Sequence, residues 1–169
     1  TTDFHAGRRD ALRKLMPDKS VMAVFAYPTR TFSNDVEYLY HQNPDMYYFS
    51  GYKEPHSLLL IFKDEQTDSI GNKYKEILFV QKRNPQAERW TGKRLGTDGA
   101  KEKLGLKTVF NASEFNNFSI DFLKFDKIIY ESFPIDVPNS NDRADLYDLI
   151  QQFKKKSSMP EQMSRQNRF

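Results

Sequence analysis

The chain has 169 residues, 38% of them hydrophobic and 14% aromatic, which is enough to bury one real core and suits one domain. Lysine and arginine (26) nearly balance aspartate and glutamate (23), leaving a formal charge of +3 with the basic residues scattered apart from Lys154 to Lys156, so neither nucleic acid nor an anionic surface is indicated as a partner. With no cysteine, disulfides, thiolate metal sites and a cysteine nucleophile are excluded.

In chain order, Phe4 to Met16 places Phe4, Ala11, Leu12, Leu15 and Met16 near helical spacing between arginines and lysines, and Pro17 stops the run, predicting an amphipathic helix. Ser20 to Ala26 is a continuous apolar run of strand length, the pattern of a buried strand. From Arg30 to Pro55 the sequence RTFSNDVEYLYHQNPDMYYFSGYKEP joins an acidic, polar opening to a run of tyrosines, and it is read as a segment that displays side chains. Within it, Asp45 to Gly51 is read as a strand on its aromatic content, followed by strands over Ser57 to Phe62 and Glu76 to Gln81, with Gln66 to Lys75 as a surface loop. Asn84 to Asp98 is polar and glycine-punctuated, and Asp98 is placed as the cap of a short helix ended by Gly105. A short strand over Lys107 to Phe110, an N-capped helix over Ser113 to Phe125, a strand over Lys127 to Tyr130 and a capped helix over Asp142 to Lys156 complete the reading. Helices alternating with buried strands predict the α/β class, a mixed β-sheet flanked by helices.

Motifs for chemistry are sparse. His5, His41 and His56 show no metal-ligand spacing, and neither a phosphate-binding glycine loop nor a G-x-S-x-G elbow occurs, so no catalytic residue and no metal site is assigned. No apolar run approaches the roughly 20 residues of a membrane span, and no signal-peptide stretch opens the chain, which gives the expectation of a cytoplasmic protein. The start at Thr1 rather than Met and the polar end PEQMSRQNRF are expected of a fragment. Two contact loops remain. Asp35 and Glu37 sit among Ser33, Asn34, Tyr38 and Tyr40, where a carboxylate can meet a cation such as a peptide's terminal ammonium or simply be solvated. Trp90, the only tryptophan, stands between charges in ERWTGKR, and it either walls a ligand or folds back over the sheet edge; Lys93 and Arg94 beside it are candidate anion contacts or solvated loop charges.

The order Ser33, Asp35, Glu37, Tyr38, Tyr40, Gln42-Asn43, Asp45, Tyr48-Phe49, Gly51 and Glu54-Pro55 resembles the N-terminal domain of Xaa-Pro aminopeptidases (aminopeptidase P) of bacterial form. So does a second set, Glu88, Trp90, Gly92, Arg94, Leu95, Gly96, Ala100 and Lys103-Leu104-Gly105, and the resemblance extends from about Phe4 to Leu149. It departs at His41, where many relatives carry arginine, and at Thr91, where an aromatic is common. The resemblance implies the creatinase-like, ribonuclease H-like α/β fold of that domain, followed in relatives by a pita-bread catalytic domain that binds two manganese ions and removes an N-terminal residue preceding proline. That catalytic domain is absent from this chain. It further implies a homo-oligomer in which Asp35 and Trp90 wall the substrate pocket of a neighbouring subunit. The partners implied are the chain's own C-terminal catalytic domain and peptides with proline at the second position. Two other readings stay open: a free-standing peptide- or protein-binding module, and the matching domain of a prolidase or creatinase relative.

Overall fold

The computed structural model describes residues 2–29, 40–131, 133–134, 137–139 and 144–157. Helix α1 (Thr2–Leu15) precedes strand β1 (Ser20–Phe25), helix α2 (Pro44–Ser50) and the strands β2 (Leu58–Thr67) and β3 (Lys73–Val80). Helices α3 (Pro85–Thr91) and α4 (Gly96–Leu104) follow, then β4 (Val109–Asn111), two short 3-10 segments, β5 (Lys127–Tyr130) and α5 (Leu146–Ser157).

The strands form a five-stranded sheet in the order β4-β3-β2-β1-β5. β1 pairs antiparallel with β2 and parallel with β5, while β3 is antiparallel to β2 and parallel to β4, so the sheet is mixed as the alternation of elements predicts. Because successive strand residues point to opposite faces, β1 divides its side chains between two cores. Val21, Ala23 and Phe25 join Phe115, Phe122, Leu149 and Phe153 under the 3-10 segments and α5. Met22, Val24 and Ala26 join Leu12, Met46, Ala100 and Leu106 under α1, α2 and α4. This two-sided burial explains why the first strands read as unbroken apolar runs.

Five local expectations are corrected. Asp45 to Gly51 is helix, not strand: the Asn43 side chain accepts from Asp45 N, Pro44 occupies the first turn, and Gly51 closes the helix at φ 78° with its N–H on the Tyr47 carbonyl. Met46 and Ser50, four residues apart, are buried, whereas Tyr47 and Tyr48 face outward. The predicted Ser113 to Phe125 helix is two 3-10 segments, Ala112–Asn117 and Phe122–Lys124. Each has its own cap, Asn111 with Glu114 in a capping box and Asp121 with Leu123 N, and the intervening Phe118 backbone is extended. Gln66 to Lys75 continues β2 and β3 as a paired hairpin whose turn is fixed by Asp68 Oδ1 accepting from Ile70 N and Asn72 N. The polar stretch from Asn84 holds α3, and α4 begins at Gly96, ahead of Asp98. The last helix begins at Leu146 with Asp145 accepting from Asp148 N; Asp142 lies outside the described residues.

One buried ionic cluster ties α1 to the sheet. Arg9 Nε donates to Glu76 Oε1 at 3.0 Å and Arg13 donates to Glu76 Oε2. Arg13 also reaches the Phe62 and Lys75 carbonyls, and Arg9 the Phe49 carbonyl at the end of α2. No helix among the described residues is long and apolar enough to cross a membrane.

Candidate functional site

β1, β3, β4 and β5 all run toward the same end of the sheet, the end at which β2 begins. In α/β folds the loops outside the carboxyl ends of parallel strands are the usual ligand-binding edge. Both segments that the sequence singles out leave from here: residues 26–43 follow β1, and residues 81–95 follow β3.

The first segment is closed at its base. The Tyr40 hydroxyl lies 2.7 Å from the Tyr27 carbonyl and 2.9 Å from Gln42 Oε1, donating to this pair of acceptors, and burial pushes its pKa up. Gln42 Oε1 also accepts from Tyr27 N and Asn43 N, while its Nε2 donates to the carbonyls of Tyr52 (3.3 Å) and Glu54 (2.7 Å). Asn43 Nδ2 donates to the Phe25 carbonyl. These amides therefore bond the Phe25 carbonyl and the Tyr27 and Asn43 N–H groups close to where the chain enters and leaves residues 30–39. Asp35 and Glu37 themselves lie outside the described residues.

Glu54 links this base to the second segment. Its Oε1 accepts from Gln81 Nε2 at 2.9 Å and from the Tyr52 hydroxyl at 3.3 Å, and its Oε2 accepts from Leu95 N at 3.0 Å. Tyr52 is fully buried, and burial together with the Glu54 carboxylate pushes its hydroxyl pKa well up.

Helix α3 carries Trp90, whose side chain is 84% exposed, so it does not fold back over the sheet edge. The helix buries none of its residues. It is fixed by polar contacts: Asn84 Oδ1 accepts from Gln86 N and Ala87 N, and the Glu88 carboxylate accepts from Arg83 Nε, Asn84 N and Arg94 N. The backbone bond from Arg94, then the Arg83 side chain, hold the Glu88 carboxyl down at about 2. Arg94, a candidate anion contact in the sequence, donates from Nη1 to the Lys82 carbonyl at 2.9 Å. Lys93 is exposed.

Among the described residues no group of three or more His, Asp or Glu side chains converges as a metal site. The edge carries an outward aromatic on a short helix fixed by polar contacts. Sequence reasoning named Gln42, Glu54 and Glu88 as signature positions without giving them roles. Their partners lie up to 41 residues away, and no local pattern announces them.

Comparison with known proteins decides the family. The model of the aminopeptidase P N-terminal domain matches residues 5–130. The chain belongs to the aminopeptidase P N-terminal domain family. Its sequence is 38% identical over 125 residues to the Xaa-Pro aminopeptidase of Escherichia coli K12, covering 74% of this chain and 27% of that protein. It is 37% identical over 102 residues to human Xaa-Pro aminopeptidase 3, covering 59% and 19%. The fold superposes on a structure of E. coli aminopeptidase P with the inhibitor Pro-Leu at a TM-score of 0.68 and 30% identity, over 92% of this chain and 33% of that one. This aminopeptidase P-type domain therefore spans about a quarter of the first of these relatives and a fifth of the second.

Proposed function

We propose that this aminopeptidase P-type domain is the non-catalytic first part of a metal-dependent Xaa-Pro aminopeptidase, an enzyme that removes an N-terminal residue preceding proline. In this reading the whole chain is one domain. The two manganese ions and the groups that bind them belong to a C-terminal catalytic domain, and the enzyme works in the cytoplasm as a homo-oligomer. The role of the present residues is to gate substrate at a neighbouring subunit's site. Trp90 narrows access so that a slim peptide end enters, and Asp35 favours a cationic N-terminus.

The observation that supports this reading best is the outward indole of Trp90, 84% exposed on a helix with no buried residue. A large aromatic kept out of the core on a polar-clamped mount is arranged to meet something else. The experiment joins this domain to its catalytic half and replaces Trp90→Ala. Cleavage of Xaa-Pro peptides is expected to fall while bound manganese stays constant, and wild-type kinetics would remove Trp90 from the site. The 169-residue chain alone, given manganese, is expected to show no turnover above a metal-free control; turnover there would place catalytic groups within these residues. The intact mass of the native gene product separates this reading from a free-standing binding module. A mass well above twice 19.9 kDa supports the enzyme, and one near 19.9 kDa the module.

A further inference from the structure

Helix α3 poses a physical question, because it buries no apolar side chain and so cannot be held in place by apolar packing. The Asn84 cap fixes its start but not its exit. Glu88 reaches both ends. Its Oε1 accepts from Arg83 Nε at 3.0 Å and Arg94 N at 2.9 Å, and its Oε2 from Arg83 Nε at 3.1 Å and Asn84 N at 2.8 Å. One carboxylate thereby gathers Arg83 and Asn84 before the helix and Arg94, two residues beyond its Gly92 cap. The next amide, Leu95 N, is fixed by Glu54. The Glu88 side chain is only 8% exposed on a helix that is otherwise open. Two residues along a helix correspond to a rotation of about 200°, so turning Glu88 inward turns Trp90 outward.

We infer that Glu88 is the positioning residue for Trp90: its carboxylate sets where the indole stands and keeps it from swinging with a loose loop. That this placement serves peptide selection rests on the function proposed above; the placement itself does not. Every group facing the carboxylate is a donor, so Glu88→Gln sets an amide NH2 against an N–H at one of the two oxygens, whichever way the amide is turned. Trp90 is the sole tryptophan of the chain, so its emission reports this helix without interference.

The test is time-resolved fluorescence anisotropy of Trp90 in the 169-residue chain, with far-UV circular dichroism and a thermal melt as controls for folding. In Glu88→Gln the slowly decaying anisotropy is expected to drop and a fast local component to appear, whereas Arg89→Ala, an exposed change on the same helix, leaves the decay as in the wild type. An unchanged decay in folded Glu88→Gln overturns the assignment. If that variant does not fold, Arg83→Met decides: it keeps the carboxylate but removes its charged donor, and loosening of the indole supports the assignment while an unchanged decay overturns it. Kinetics of the protein joined to its catalytic half separate the two claims. A loosened indole with unaltered Xaa-Pro cleavage in both Glu88→Gln and Trp90→Ala leaves Glu88 as the positioning residue and removes the gating role. Impaired cleavage in Trp90→Ala with an unmoved indole in Glu88→Gln does the reverse.

Discussion

Replacing Glu54 by glutamine tests whether the sheet-end loops are held by one carboxylate. The wild-type side chain accepts three bonds, two at Oε1 from Gln81 and Tyr52 and one at Oε2 from Leu95 N. Glutamine has one acceptor oxygen. Its better orientation keeps the two bonds at Oε1 and turns its NH2 toward the Leu95 N–H, losing one charge-assisted bond and facing donor with donor. A hydrogen bond to a charged group contributes about 1.5–3 kcal/mol, so Glu54→Gln is expected to cost about 2 kcal/mol. Glu54→Ala loses all three bonds and leaves the fully buried Tyr52 hydroxyl without this acceptor, adding about another 2 kcal/mol. Urea unfolding monitored by circular dichroism reads both as a lower midpoint at unchanged slope. Amide exchange at Leu95 reads the specific bond: its protection is expected to fall in Glu54→Gln more than that of the β1 amides. A loss under about 0.5 kcal/mol with Leu95 protection intact would refute the view that Glu54 holds the two segments together.

Glu76→Gln is expected to cost about 3 kcal/mol in the same urea assay, because it takes the counter-charge from Arg9 and Arg13, both buried on the sheet-facing side of α1; a cost below about 1 kcal/mol would show that the carbonyls around them suffice. Trp90→Ala is expected to leave stability within about 0.5 kcal/mol, since an 84% exposed side chain adds little to the core, and a larger loss in thermal melts would mean the indole packs on the fold. Acid should loosen α3 through Glu88. Its pKa is lowered from 4.5 to about 2, so its contribution is complete above 4.5 and lost as pH falls toward 2. The wild type is therefore expected to lose more stability than Glu88→Gln between pH 5 and pH 2 by about the share this carboxylate supplies, and parallel acid profiles for the two proteins would contradict the clamp.

The inner part of the sheet and the last helix are legible in the sequence because burial there follows simple periods: β1 is an unbroken apolar run, β2 begins and β3 ends on one, and α5 buries its apolar residues at helical spacing. In α1 only the helix itself is legible, since Leu12 and Met16 are buried but Phe4, Ala11 and Leu15 are exposed, and Arg9 and Arg13 fill the sheet-facing side. The Tyr47, Tyr48 and Phe49 run misled for a physical reason: aromatic residues favour strands on average, yet the Asn43-Pro44 entry and the Gly51 exit fix a helix that turns two of these rings toward solvent. α3 was illegible for a different reason. It has no apolar stripe to find, and its order depends on a carboxylate whose donors lie five residues before it and six after.

The same distinction explains what the signature positions at this edge do. Gln42, Asn43, Glu54 and Glu88 look like candidate ligand groups when seen as letters, being polar and close to aromatics. In the fold each is occupied: Gln42 and Asn43 bond the backbone flanking residues 30–39, and Glu54 and Glu88 bond the consecutive amides of Leu95 and Arg94. Each carboxylate already accepts backbone and side-chain donors, and displacing the backbone ones to bind a cation would cost the loop its shape. Among the described residues of this edge, Trp90 is the large apolar side chain left furthest outside, at 84% exposed against 41% for Tyr27. Recognition here is expected to be by shape and stacking on an indole, with the acids acting one step behind it as the mount. A double-mutant cycle between Trp90→Ala and Glu88→Gln on peptide KM should then show strong non-additivity, because removing the mount matters only while there is an indole to place; additive effects would mean Glu88 touches the peptide itself.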